Sequence, residues 1–174
     1  MRIMKTVLFS FLLTCLALPA FAGGDDVLGY WKIIDDETGK AKSIIGIYKY
    51  DNKLYGRLVV SLDDNEQPTE TIYDPKARAE NLPDQPFYAG LDIIWDLVWT
   101  KDKWKNGSIL DPEKAKVYDS EVWYDTAKDQ LVVRGKIGPF GRSQNWVRMS
   151  EKDLPSGFAL PDMKTWTPAV PRVK

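Results

Sequence analysis

Asp119 and Glu121 stand two residues apart in KVYDSEVWYD (116–125), and Asp111 precedes them in NGSILDPEK (106–114). A carboxylate pair is what acid–base cleavage of a glycosidic bond requires, but that chemistry depends on their separation in space, which sequence spacing does not set. Other reactive types are scarce. There is no histidine, and the one cysteine, Cys15, falls in the N-terminal leader described below. This excludes His and Cys schemes for nucleophile, base or ligand and leaves a metal only oxygen ligands. Asp35-Asp36-Glu37 and Asp63-Asp64-Asn65-Glu66 are dense in such oxygens. Neither has the ligand spacing and glycine of a calcium loop. They read as solvated turns, and no metal site and no cofactor is predicted. Arg142, Gln144 and Arg148 alternate on one strand face with Trp146. On a lumenal face the arginines could grip a ligand carboxylate or phosphate in a bidentate fork; otherwise they cap a barrel end. Arg148 reads as a cap, while Arg142 and Gln144 fit either role.

The elements that must position these residues are strands. LGYWKII (28–34), KSIIGIYKY (42–50), KLYGRLVVSL (53–62), GLDIIWDLVW (90–99), KWKNGSIL (103–110), KVYDSEVWYD (116–125), QLVVRGKIG (130–138) and RSQNWVRM (142–149) alternate or run apolar between short polar links. Asp51-Asn52 is a tight hairpin connection. Eight strands in a meander predict an all-β fold, an eight-stranded antiparallel up-and-down barrel. Residues 63–89 form a connection longer than compact domains need, and are read as a lid near the opening. Residues 150–174 carry Pro155, Pro161, Pro168 and Pro171, which argue against a docked C-terminal helix. A tail draped over the barrel and anchored by Phe158 and Trp166 is expected instead.

Alternation also assigns faces. Leu131, Val133, Gly135 and Ile137 are expected inside, as are Leu54, Gly56, Leu58 and Val60, and Leu91, Ile93, Trp95, Leu97 and Trp99. Turning Asp119 and Glu121 inward would desolvate two like charges on one face, costing several kcal/mol each. Tyr118, Ser120, Val122 and Tyr124 therefore face the lumen and the acids face water, beside Arg134 and Lys136. Gly46, Gly56 and Gly135, also placed inside, either let the sheet coil around aromatic side chains or widen a cavity. Trp104, Trp123 and Trp166 fit barrel-end packing better than a sugar-stacking platform.

Arg2 and Lys5, an apolar run VLFSFLLTCLAL and Ala20-Phe21-Ala22 have the layout of a secretory signal peptide cleaved after Ala22. Lipidation of Cys15 is the rival reading, but Thr14 sits where a small Ala or Gly is wanted. Residues 1–22 are thus a leader, 23–149 the barrel domain and 150–174 a Pro-rich extension, with a periplasmic or secreted destination. The leader removes two of 24 basic residues and none of 25 acidic ones, leaving a net charge near −3. That mild acidity gives no reason to expect nucleic acid as partner, and no later segment offers a membrane span.

Five stretches together resemble the bacterial domain-of-unknown-function family 2147: GYWKIIDDETGKAKSIIGIY (29–48), KLYGRL (53–58), DQPFYAGLDIIW (84–95), NGSILDPEKAKVY (106–118) and VRGKIGPFGRSQNWVR (133–148). The resemblance implies an exported lipocalin-like β-barrel and brings no reaction with it. Gly29-x-Trp31 is also similar to the Gly-x-Trp of the first lipocalin strand. There the Trp closes one barrel end beneath an Arg from the last strand, which makes Gly29, Trp31 and Arg148 a structural lock by resemblance. A guanidinium over an indole gains cation–π attraction while its edges stay free to hydrogen-bond.

The expected function is non-catalytic binding of a small hydrophobic or amphipathic molecule. Tyr48, Trp95, Trp99, Tyr118 and Tyr124 would form the apolar wall, with Ser120 and Gln144 as polar tips. The alternatives are a filled-lumen scaffold that binds another envelope protein through its outer face or the 63–89 loop, and a carboxylate-based glycan hydrolase.

Overall fold

The computed structural model describes residues 24–154 and 156–173. The proposed cleavage site after Ala22 and Cys15 lie outside them. Nine strands form: β1 Gly29–Ile34, β2 Ala41–Tyr50, β3 Lys53–Leu62, β4 Pro68–Thr71, β5 Asp92–Thr100, β6 Lys103–Asp111, β7 Lys116–Asp125, β8 Gln130–Ile137 and β9 Phe140–Arg148. Eight of them pair antiparallel in chain order, with β3 passing over β4 to pair with β5, and β9 returns to β1 to close the barrel. The short β4 hangs on the outer end of β3, at Val60–Leu62, where β5 has already diverged. No helix among the described residues is long and apolar enough to cross a membrane.

The hairpins follow from local chemistry. Asp51 and Asn52 both take positive φ (46° and 61°), which is the handedness a two-residue turn needs to match strand twist. Asp125, Asp35 and Asp111 each accept backbone N–H bonds from residues two to three ahead, turning the chain with their own carboxylates.

The core lies inside one half of the barrel. Trp31, Ile45, Ile47, Leu54, Ile94, Leu97, Val122, Leu131 and Trp146 are buried there. The residues before β1 plug that end. A short 3-10 turn, Asp25–Val27, lies beneath it, and two indoles hold it: Trp31 Nε1 donates to the Val27 carbonyl and Trp104 Nε1 to that of Gly24, both at 2.8 Å. A buried indole N–H needs such a partner, so each bond fixes a ring as well as the plug.

Several faces differ from simple alternation. Val59 is an extra residue between the Leu58–Ile45 and Val60–Ile44 pairs. Leu58 therefore points in, while Val60 points out and packs with Ile44 in a second, outer cluster. On β5, three steps from Ile94 to Leu97 face two on β3, and Asp96 takes φ 60°. The extra residue turns Trp95 outward opposite Ser108. On β2, Ile45 and Ile47 take the lumenal face, so Gly46 and Tyr48 face outward.

The outer cluster is covered by the chain after β9. Phe158 and Trp166 pack against it, and the Tyr30 hydroxyl donates to the Pro161 carbonyl. Gly46 makes room: a Cβ there would come within 2.8 Å of the Trp166 ring.

Candidate functional site

The end opposite the plug is open. Four connections rim it: 35–40, 63–91, 111–115 and the β8–β9 turn. They surround a cavity of about 680 Å³ that runs into the barrel. Its inner wall is apolar, made by Ile33, Leu58, Ile93, Ile109, Val133 and Trp146, with Tyr88 contributed by the long connection. Charged side chains lining it come from the rim, and the cations are engaged there. Lys42 pairs with Asp35 at 2.7 Å, Lys114 with Asp111 at 3.0 Å, and Arg142 with Asp36. Lys42, together with Thr38, holds the Asp35 carboxyl well below the usual carboxylate range.

The long connection is ordered by a buried acid. Glu70 accepts from the Ser61 hydroxyl (2.9 Å) and from the backbone N–H groups of Lys76 and Ala77 (2.8 and 2.9 Å). Such saturation lets a carboxylate stay buried without a cation. The segment then tucks Ala79, Leu82 and Ala89 into the main core, and Asn81 donates to the Glu113 carbonyl on the facing rim.

Of the seven residues expected to bind ligand, Tyr118 and Gln144 line the cavity. Ser120 lies on the same lumenal face of β7, opposite Gly135, but is buried behind the wall, and its Oγ has no hydrogen-bond partner. Trp99 and Tyr124 sit at the plugged end, Trp99 tilted against Trp104 at 5.7 Å and Tyr124 against Trp31 at 6.1 Å. Trp95 and Tyr48 are outside the barrel. Strand phase, shifted by the β5 bulge and set by Ile45 and Ile47 on β2, keeps those two from the lumen.

Tyr48 belongs to another cluster. Its hydroxyl donates to Asp92 Oδ2 (2.8 Å), and Arg57 forks onto Asp92 with Nε–Oδ1 at 2.8 Å and Nη2–Oδ2 at 3.0 Å. Asp92 is fully buried and Arg57 is 7% exposed. The C-terminal segment closes over them: Arg57 donates to the Thr167 carbonyl (2.6 Å), the Ala169 N–H bonds Asp92, and Trp166 lies 4.8 Å from the guanidinium. Burial, and then the charge of Asp92, push the Tyr48 phenol far above its ordinary value. The hydroxyl therefore remains a donor.

At the plugged end Arg148 lies over Trp31, its Cζ 4.2 Å from the ring centroid, and donates to the Asp26 carbonyl at 3.2 Å. Gly29, at φ 126°, passes beside it; a Cβ there would stand 3.4 Å from Nη1.

The carboxylates do not converge. Asp119 is exposed, and Glu121 lies on the outer face between Lys136 (2.5 Å) and Lys103 (3.5 Å). Asp111 is in the rim turn. Among the described residues no group of three acidic side chains is gathered closely enough to hold a metal ion.

Sequence reasoning missed Ser43, Leu62 and Tyr88 as lining residues. Ser43 had a usable signal, since it shares its face with Ile45 and Ile47. Tyr88 had none, because loops carry no period.

A barrel plugged at one end by a Gly-x-Trp strand and open at the other is lipocalin-like. The chain belongs to the bacterial family described as "Uncharacterized protein conserved in bacteria (DUF2147)", whose model matches residues 29–148. It is also similar in structure to protein HP1028 from Helicobacter pylori, which is described as belonging to the lipocalin family. The TM-score is 0.56 and the identity 19%, over 72% of this chain and 84% of that one. At that identity the likeness speaks for the fold. No curated protein matches the chain.

Proposed function

We propose that this protein is an exported binding protein that holds one small hydrophobic or amphipathic molecule in its lumen without changing it chemically. The observation that carries the reading is the cavity: about 680 Å³, apolar along its inner wall, and ending on a packed core. That volume lies within the range of ligand sites, roughly 300–1,000 Å³. The lipocalin-like barrel supports ligand binding in general. Among the candidate wall residues, Tyr118 and Gln144 line this cavity, as do Ile109, Val133 and Trp146, and these would touch the occupant. The leader-like N-terminus supports a periplasmic or secreted location.

Trp146 reports on the cavity it lines. A screen of lipids and metabolites should yield a compound that quenches tryptophan emission. At a concentration one hundredfold above Kd the same compound should add about 2.7 kcal/mol of stability, read as a higher Tm. Mass spectrometry of whatever co-purifies from the native envelope would name the molecule. A screen with neither quenching nor a Tm shift, together with an empty protein from the native source, would overturn the reading.

A further inference from the structure

Resting on that reading, we infer the class of ligand: an uncharged amphiphile whose oxygen acceptor enters the lumen and is bound at depth by Gln144, rather than a fatty anion held at its carboxylate.

Gln144 lies on the lumenal face of β9, opposite Val133. Its Oε1 is the acceptor for Trp146 Nε1, at 3.4 Å. An indole N–H can only donate, so this contact sets the amide's orientation and leaves Nε2 as the free end. No described residue accepts from that Nε2. The cavity wall thus presents a neutral donor to whatever enters.

A second observation points the same way. Ser120 Oγ is buried without a partner. It sits beside Gly135, which lines the cavity, and the absence of a side chain there thins the wall between the hydroxyl and the lumen; a Cβ added at Gly135 would already be in van der Waals contact, 3.4 Å from Ile109. A buried hydroxyl left unpaired is costly, and a ligand oxygen or a water carried in with it removes that cost.

Charge argues against an ion at depth. The cations lining the cavity, Lys40, Lys42, Lys114 and Arg142, stand at the rim and are engaged there, by the Asp64 carbonyl, Asp35, Asp111 and Asp36 in turn; Arg142, which shares the face of Gln144, is largely exposed. An anion drawn down to Gln144 would be desolvated with no cation beside it.

The test compares decanol, decanoate and decyltrimethylammonium at neutral pH on the unaltered protein, by quenching of tryptophan emission and by calorimetry. Decanol should bind at least about tenfold more tightly than either ion, since a charged head brought into the wall stays unpaired. Gln144→Leu should weaken decanol roughly fivefold, the worth of one neutral hydrogen bond. Ser120→Ala, nearly isosteric and so safe for the fold, should weaken it by a smaller factor. Decanoate binding as tightly as decanol, and losing affinity on Arg142→Ala, would overturn the inference while leaving the binding reading intact. Undiminished decanol binding by a folded Gln144→Leu protein would also overturn it. No binding by any of the three chains would overturn the binding reading itself, and this inference with it.

Discussion

Glu121 keeps its charge because Lys136 reaches it from β8 and Lys103 from β6. Lys136 is the larger influence, and together the two amines hold the carboxyl below its ordinary value of 4.5 despite partial burial. A depressed folded-state pKa means that the ionised form stabilises the fold above the unfolded value. That contribution is lost as pH falls below about 4.5 and through the folded value. Asp96, bonded by Lys53, and Asp153, where Lys32 and Ser150 outweigh burial, act in the same direction. Thermal stability should therefore be level from neutral pH down to the carboxylate range and fall below it. Glu121→Gln should cost about 0.5 kcal/mol at neutral pH and make the acid limb shallower, checked by melts across a pH series. A limb unchanged in steepness would place the acid sensitivity elsewhere. The outward placement of Glu121 was legible in the sequence, because desolvating two neighbouring acids is prohibitive whatever the fold. Tyr48 was not legible in that way. A tyrosine is comfortable in a lumen or under a tail, and only strand phase decides.

At the scale of the element, the eight barrel strands could be read from the alternation to within two residues at their ends, the short β4 inside the 63–89 connection could not, and strand phase was legible only in part. Three irregularities fall at apolar doublets: Ile33-Ile34, Val59-Val60 opposite Ile44-Ile45, and Ile93-Ile94. Two adjacent apolar residues let a strand switch faces without exposing either, so period-2 counting loses its place there. Val132-Val133 keeps register, so a doublet permits a bulge without dictating one. The β5 bulge depends on a neighbour that alternation also could not reveal. Gly107 lies against it so closely that an added Cβ would come within 2.4 Å of the Trp95 carbonyl oxygen and 2.5 Å of the Leu97 nitrogen. Backbone atoms cannot rotate aside as a side chain can. Gly107→Ala should therefore cost about 2–3 kcal/mol, seen as a lower urea midpoint at unchanged m. Gly135→Ala, with nothing nearer than 3.4 Å, should cost far less. Equal effects would mean that β5 shifts freely and that Trp95 is not pinned outside by its bulge.

The whole molecule is a barrel with two cores, one inside and one between its outer wall and the C-terminal segment. The second was foreshadowed in KSIIGIYKY, where Ile44 and Tyr48 make one face apolar while Ile45 and Ile47 do the same for the other; a strand apolar on both sides must be covered on both. What the sequence hid was the buried ion pair beneath the cover, since Arg57 and Asp92 are far apart in the chain and each looks like an ordinary surface residue. Their burial depends on residues 161–169, which supply the Thr167 carbonyl, the Ala169 N–H and the Trp166 ring. In the intact chain, Asp92→Ala strands a nearly buried guanidinium and should cost about 3–5 kcal/mol. A chain ending at Ser150 exposes the same pair to water, which can solvate Arg57 once its partner is gone, so there the substitution should cost less than about 1 kcal/mol. Truncation alone should lower stability and promote association through the uncovered Ile44, Val60 and Tyr30 surface. Urea melts of the four proteins close a double-mutant cycle. A large coupling between tail and Asp92 is expected. Additive losses would mean that the pair is desolvated by the barrel wall itself, and that the tail only lies upon it.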